Sequence, residues 1–106
     1  MTTTIAPVRI LVIRPWTQPL NPLRTALRQA GIQARIIRVD FEPALNAALV
    51  RGDFDVILFD ESTRGLPRSV VEARLHEHHR TTPIVTFGPL DEMLEAIRQV
   101  AHRLLN

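Results

Sequence analysis

The stretch Phe54-Asp55-Val56-Ile57-Leu58-Phe59-Asp60 decides the fold. Its apolar run is short, unbroken and rich in Val, Ile and Phe, which suits a strand buried on both faces of a sheet. Gly52-Asp53 ahead of it and Ser62-Thr63-Arg64-Gly65 behind it bound the run with turn-forming residues. A strand that finishes on a carboxylate presents that group at the C-terminal edge of a sheet, where open α/β folds bind their ligands. Asp60 is therefore the residue on which a functional reading turns.

Upstream, Val8-Arg9-Ile10-Leu11-Val12-Ile13-Arg14 reads as a first strand, central because residues 10–13 are continuously apolar. Residues 15–20 form a loop punctuated by Pro15 and Pro19. Asn21 followed by Pro22 predicts an N-cap and a helix start, with Leu23, Ala26, Leu27 and Ala30 on one face and Gly31 closing it. Residues 32–39 predict a second strand, placed at an edge because Arg35 and Arg38 interrupt it. Asp40 or Glu42 is expected to cap a second helix entered at Pro43, with Ala44, Leu45, Ala48 and Leu49 inward and Gly52 ending it.

Downstream of Asp60, Pro67 suits the first turn of a third helix that faces Val70, Val71, Ala73 and Leu75 inward and runs out through residues 76–80. Residues 83–87 predict a short fourth strand, stopped by Gly88-Pro89. Asp91 is expected to cap a last helix carrying Leu94, Ile97, Ala101 and Leu104. Alternating strands and helices predict an α/β, three-layer, flavodoxin-like parallel sheet of four strands, with helices on both faces. The two apolar strands are central, so the order is 2-1-3-4. In that order Arg14 and Asp60 meet at the topological switch point.

The chain has 106 residues and reads as a single domain over 1–106. It has no cysteine, which excludes disulfides and thiolate chemistry. All 13 basic residues are arginine, spread along the chain, and the formal charge is only +2. Nucleic-acid binders cluster their basic residues, so no nucleic-acid partner is expected. Residues 1–6 lack a charged n-region and a long apolar core, and no segment approaches the ~20 apolar residues of a membrane span. No membrane association is expected, and the cytoplasm is the expected location.

Arg9-Ile10-Leu11-Val12-Ile13 with Leu23 to Gly31, residues 44–60, and Thr82-Pro83-Ile84-Val85 together resemble a response-regulator receiver domain, the phosphoacceptor module of two-component signalling. The resemblance covers nearly the whole chain. It places the family's phosphoacceptor on Asp60. The acidic pair that holds Mg²⁺ is replaced by Arg14 and Pro15, with Trp16 next; the hydroxyl position falls on Gly88; and the family's lysine cannot exist in a chain without lysine. A guanidinium repels Mg²⁺, and phosphoryl transfer depends on cations that neutralise developing charge. The expectation is a truncated pseudo-receiver without catalysis, cofactor or metal. Its function would be that of a protein–protein interaction or dimerisation module in bacterial signal transduction.

The rival expectation is a flavodoxin-like sensor holding a small molecule in the Arg14/Trp16/Asp60 crevice. The third is a phosphoacceptor receiver using Asp60. For Asp60 the structural expectation is a salt bridge to Arg14, with Asp40 joining the network. Trp16 either plugs the crevice or stands out as an anchor for a partner. His76, His78 and His79 invite a metal reading, against which stands a polar helix end favoured by the dipole. The last helix carries a broad apolar face through Met93, Leu94, Ile97, Val100, Ala101, Leu104 and Leu105. Its partner-facing residues (Met93, Ile97, Val100, Leu104), together with Ile84 and Thr86 of the fourth strand, are the expected interface of a homodimer.

Overall fold

The computed structural model describes residues 6–105. Residues 1–5, which carry most of the stretch read against a signal peptide, and the side chain of Leu105 lie outside the described residues. The elements alternate as β1 (Val8–Ile13), α1 (Asn21–Gln29), β2 (Ala34–Val39), α2 (Glu42–Arg51), β3 (Val56–Phe59), α3 (Arg68–Glu77), β4 (Ile84–Thr86) and α4 (Leu90–Leu105). All pairings are parallel and the strand order is β2-β1-β3-β4, a truncated flavodoxin-like sheet.

Strand periodicity splits the core into two layers. Val8, Ile10 and Val12 of β1 and Val56 and Leu58 of β3 face Leu23 and Leu27 of α1 and Met93 and Ile97 of α4. On the other face Leu11, Ile13, Ile57 and Phe59 meet Leu45 and Leu49 of α2 and Val71 and Leu75 of α3. All four residues of β3 are buried, as its apolar run requires. In β2 exposure alternates until Val39, because one neighbour is missing and α2 leaves part of that face bare.

Several local expectations are corrected. α1 starts at Asn21 and α2 at Glu42, so Pro22 and Pro43 occupy the second helical position and the cap residues are Leu20 and Phe41. Neither Asn21, Asp40 nor Glu42 caps. A proline's missing N–H costs nothing anywhere in the first turn, so it marks a helix start only to within a residue. Asp91 lies inside α4, where its Oδ1 accepts from the N–H of Glu92 at 3.0 Å. Pro67 is the cap residue of α3, which ends at Glu77, and Ala73 is exposed. Gly31 does take the left-handed conformation expected beyond α1, with φ +72°.

Candidate functional site at the ends of β1 and β3

β1 and β3 pair with Ile13 beside Phe59, so the next residue of each chain, Arg14 and Asp60, stands at the sheet's C-terminal edge. Arg14 Nη1 donates to Asp60 Oδ2 at 2.9 Å. The two side chains are only 16% and 15% exposed, so the pair is well shielded from water. The other carboxylate oxygen is also engaged: Oδ1 accepts from the Ser62 N–H at 2.8 Å and from Ser62 Oγ at 2.7 Å. Beneath the guanidinium lies the ring of Phe87, with Arg14 Cζ 4.0 Å from its centroid. The expected bridge forms, and the Arg14 guanidinium lies against both Asp60 and the Phe87 ring.

The next shell fixes the loop after β3. Thr63 is buried, donates its N–H to the Asp60 carbonyl at 3.0 Å, and donates its hydroxyl to the Ile13 carbonyl at 3.4 Å. A Cβ on Gly65 would stand 2.9 Å from the Asp40 carbonyl oxygen, so the loop passes that backbone at a distance only glycine permits. Asp40 contributes this backbone contact, but among the described residues no hydrogen bond or ion pair joins its side chain to Arg14 or Asp60.

Trp16 does not plug the crevice. It is 64% exposed, and the Arg38 guanidinium stacks on its ring at 5.0 Å. Arg38 also donates to the carbonyls of Trp16 at 3.4 Å and Gln18 at 2.5 Å, which ties the loop to β2. Burial, and then repulsion from Arg14 and Arg24, lower the pKa of Arg38 from its ordinary value. Pro15 is half-buried and Gly88 exposed.

At the opposite end of the same two strands stands a pair that sequence reading passed over. Arg9 donates through Nη2 to Asp55 Oδ1 at 3.0 Å and through Nε to Oδ2 at 3.3 Å, and its backbone N–H reaches Oδ2 at 2.8 Å. Burial raises the Asp55 pKa, but the bonds from Arg9 outweigh it and hold the carboxyl below its usual range. Phe87 and Ser62 were also not singled out. The signal for Ser62 was its place two residues after an aspartate at a strand end.

The expected interface is corrected in part. Met93 and Ile97 are buried in the core at 1% and 0% exposure and face no partner. Val100 is half-buried against the same core and Ile84 against the other, whereas Thr86 and Leu104 are exposed. Among the described residues no three His, Cys, Asp or Glu side chains come together as a metal site, and His79 leaves α3 with a positive φ of 55°. No helix among them is long and apolar enough to cross a membrane. Compared with known proteins, no family model and no curated protein matches this sequence.

Proposed function

We propose that this chain is a non-phosphorylated, receiver-like interaction or dimerisation module of bacterial signal transduction, acting in the cytoplasm without turnover. One observation carries the reading: the cation beside Asp60 is the chain's own Arg14, hydrogen-bonded at 2.9 Å. A phosphoacceptor carboxylate needs a free oxygen for attack and a metal to neutralise the incoming phosphoryl group. Here one oxygen is held by Arg14 and the other by Ser62. What remains available for function is surface, on a sheet whose outer strands β2 and β4 each have one unpaired edge.

The small-molecule reading draws support from the exposed Trp16 ring beside Arg38. It is weaker, because the Arg14 guanidinium such a ligand would need is already bonded to Asp60 and stacked on Phe87. Incubation with a small-molecule phosphodonor and Mg²⁺, followed by intact-mass spectrometry, tests the primary reading. The expected result is no adduct, with light scattering giving a mass that rises with concentration. A stoichiometric phosphoryl group on Asp60 would overturn it.

A further inference from the structure

On the far side of the molecule from β4, α2 packs over the sheet centre and leaves part of β2 uncovered. The result is a groove of about 480 Å³. Ile37 and Val39 of β2, Ala44 and Ala47 of α2, and Phe54 line its apolar part. Ile37 is 48% exposed, unusual for an isoleucine at the middle of a strand. The rim is charged and unbalanced. Arg9 is committed to Asp55, and Asp53 to Arg80. Among the described residues Arg35 and Arg51, also on the rim, have no carboxylate partner. The groove thus presents two uncompensated positive charges around an apolar floor.

The edge beside it is open. The N–H groups of Val8 and Arg14 bond to the carbonyls of Gln33 and Val39, which turns the odd-numbered backbone groups of β2 toward β1. By the alternation of a parallel ladder, those of Ala34, Ile36 and Arg38 point outward. We propose that this groove binds an extended, acidic segment of a partner protein, added to the free edge of β2. Backbone hydrogen bonds to the outward groups supply affinity, and side chains entering the groove supply selection. Arg35 and Ile37 share the groove-facing side of β2, two residues apart. The partner strand therefore carries an acid and an apolar residue at i and i+2, the acid meeting Arg35 and Arg51 and the apolar group covering Ile37. An anionic amphiphile would satisfy the charge and the floor but leave the outward backbone groups unbonded, so a peptide strand fits better. The same arginines discourage non-specific edge pairing, because only an acidic strand neutralises them.

This inference rests on the reading of the chain as an interaction module. Its test is selection of randomised peptides of about twelve residues, enough to span β2, on the wild-type chain with counter-selection on R35E/R51E. Enriched peptides are expected to carry acids alternating with apolar residues. They are expected to bind the double variant, and separately Ile37→Glu, at least about tenfold more weakly. Amide shifts on binding are expected across Ala34–Val39 and Glu42–Arg51. Both variants alter exposed side chains, and circular dichroism checks that they fold. Peptides that bind the variants equally, or no enrichment at all, would overturn the site. Peptides that map instead to β4 and α4 would overturn it while leaving the interaction-module reading intact. Shifts of the same amides by dodecanoate below its micelle threshold, with no peptide enriched, would assign the groove to an anionic amphiphile. Loss of self-association in R35E/R51E would make a second copy the occupant, and either outcome refutes the proposal.

Discussion

The Asp60 carboxylate accepts three hydrogen bonds, and among the described residues Arg14 is the only one of its donors that carries charge. Removing either member of a shielded ion pair is costly mainly through the charge left behind. Asp60→Asn strands the Arg14 guanidinium over Phe87 with no counter-charge, for an expected loss of about 1–3 kcal/mol. Arg14→Met keeps the packing of the stem and leaves Asp60 on its Ser62 bonds, so its expected loss is smaller. The double variant is expected to lose less than the two together, because the second change removes a charge the first had orphaned. Urea unfolding of the four proteins measures this. Two loop glycines separate close packing from open space: Gly65→Ala places a Cβ 2.9 Å from the Asp40 carbonyl, whereas at Gly88 the nearest atom is 4.0 Å away. Gly65→Ala is expected to cost about 1–3 kcal/mol in the same assay and Gly88→Ala little. The Arg14–Asp60 pair was legible in the sequence because both residues end apolar strands that must be neighbours. Phe87 was not, because its stacking on Arg14 depends on how far the chain continues past β4. Nor was the outcome for Trp16, since a loop held by side-chain bonds to its own carbonyls leaves no periodicity to read.

At the scale of the element, the two Arg–Asp pairs are one device used twice. Both pairs have a sequence separation of 46, the offset at which β1 and β3 pair throughout, from Ile10 beside Val56 to Ile13 beside Phe59. Each pair therefore sits one residue beyond an end of the ladder, with arginine on β1 and aspartate on the β3 side. A pair that recurs at the opposite end of the same ladder needs no catalytic role to account for it. The lower pair has a pH signature. The Asp55 carboxyl titrates below its unfolded value, so its contribution is fully present above about pH 4 and is lost as pH falls through the lower folded value. Arg9→Ala is expected to flatten the fall in stability on that acid side. Because Arg9 is half-exposed, the difference at neutral pH is expected to be about 1 kcal/mol or less. Urea midpoints at pH ~6 and pH ~3 give the comparison. An unchanged acid limb in the variant would mean other carboxylates carry it. Strand identities and their order were legible because burial on two faces leaves an unbroken apolar run. Helix caps were not, because a proline in the first turn fixes the start only loosely and the observed cap residues, Leu20, Phe41 and Pro67, form no side-chain cap bond.

For the whole molecule, a four-stranded open sheet has two edges and each must be covered, blunted or used. On the proposal for its groove, β2 is used by an acidic strand, while its arginines deter other pairings. β4 is only three residues long, and Ile57 N–H to Pro83 and Phe87 N–H to Phe59 show which of its backbone groups face inward. The N–H groups of Ile84 and Thr86 therefore point away from β3. The face beside them is less apolar than the α4 sequence implied, because Met93 and Ile97 are spent on the core, Leu94, Val100 and Ala101 are half-buried against it, and among the described α4 residues Leu90 and Leu104 are the exposed large apolar ones. A helix read in isolation shows how wide its apolar stripe is, not how much of it the sheet beneath consumes. On the proposed reading, self-association runs through this edge by backbone pairing more than by the helix. Thr86→Pro tests that distinction: it removes an outward N–H without touching an inward one, and proline's φ suits an edge strand. The expected outcome is a protein with nearly unchanged Tm whose light-scattering mass stays at the monomer value at concentrations where the wild type assembles. Leu104→Glu, by contrast, is expected to weaken assembly only modestly. If Leu104→Glu alone disperses the wild-type assembly, the contact is helical and the edge of β4 is blunted by its shortness, leaving β2 as the edge open to a partner strand.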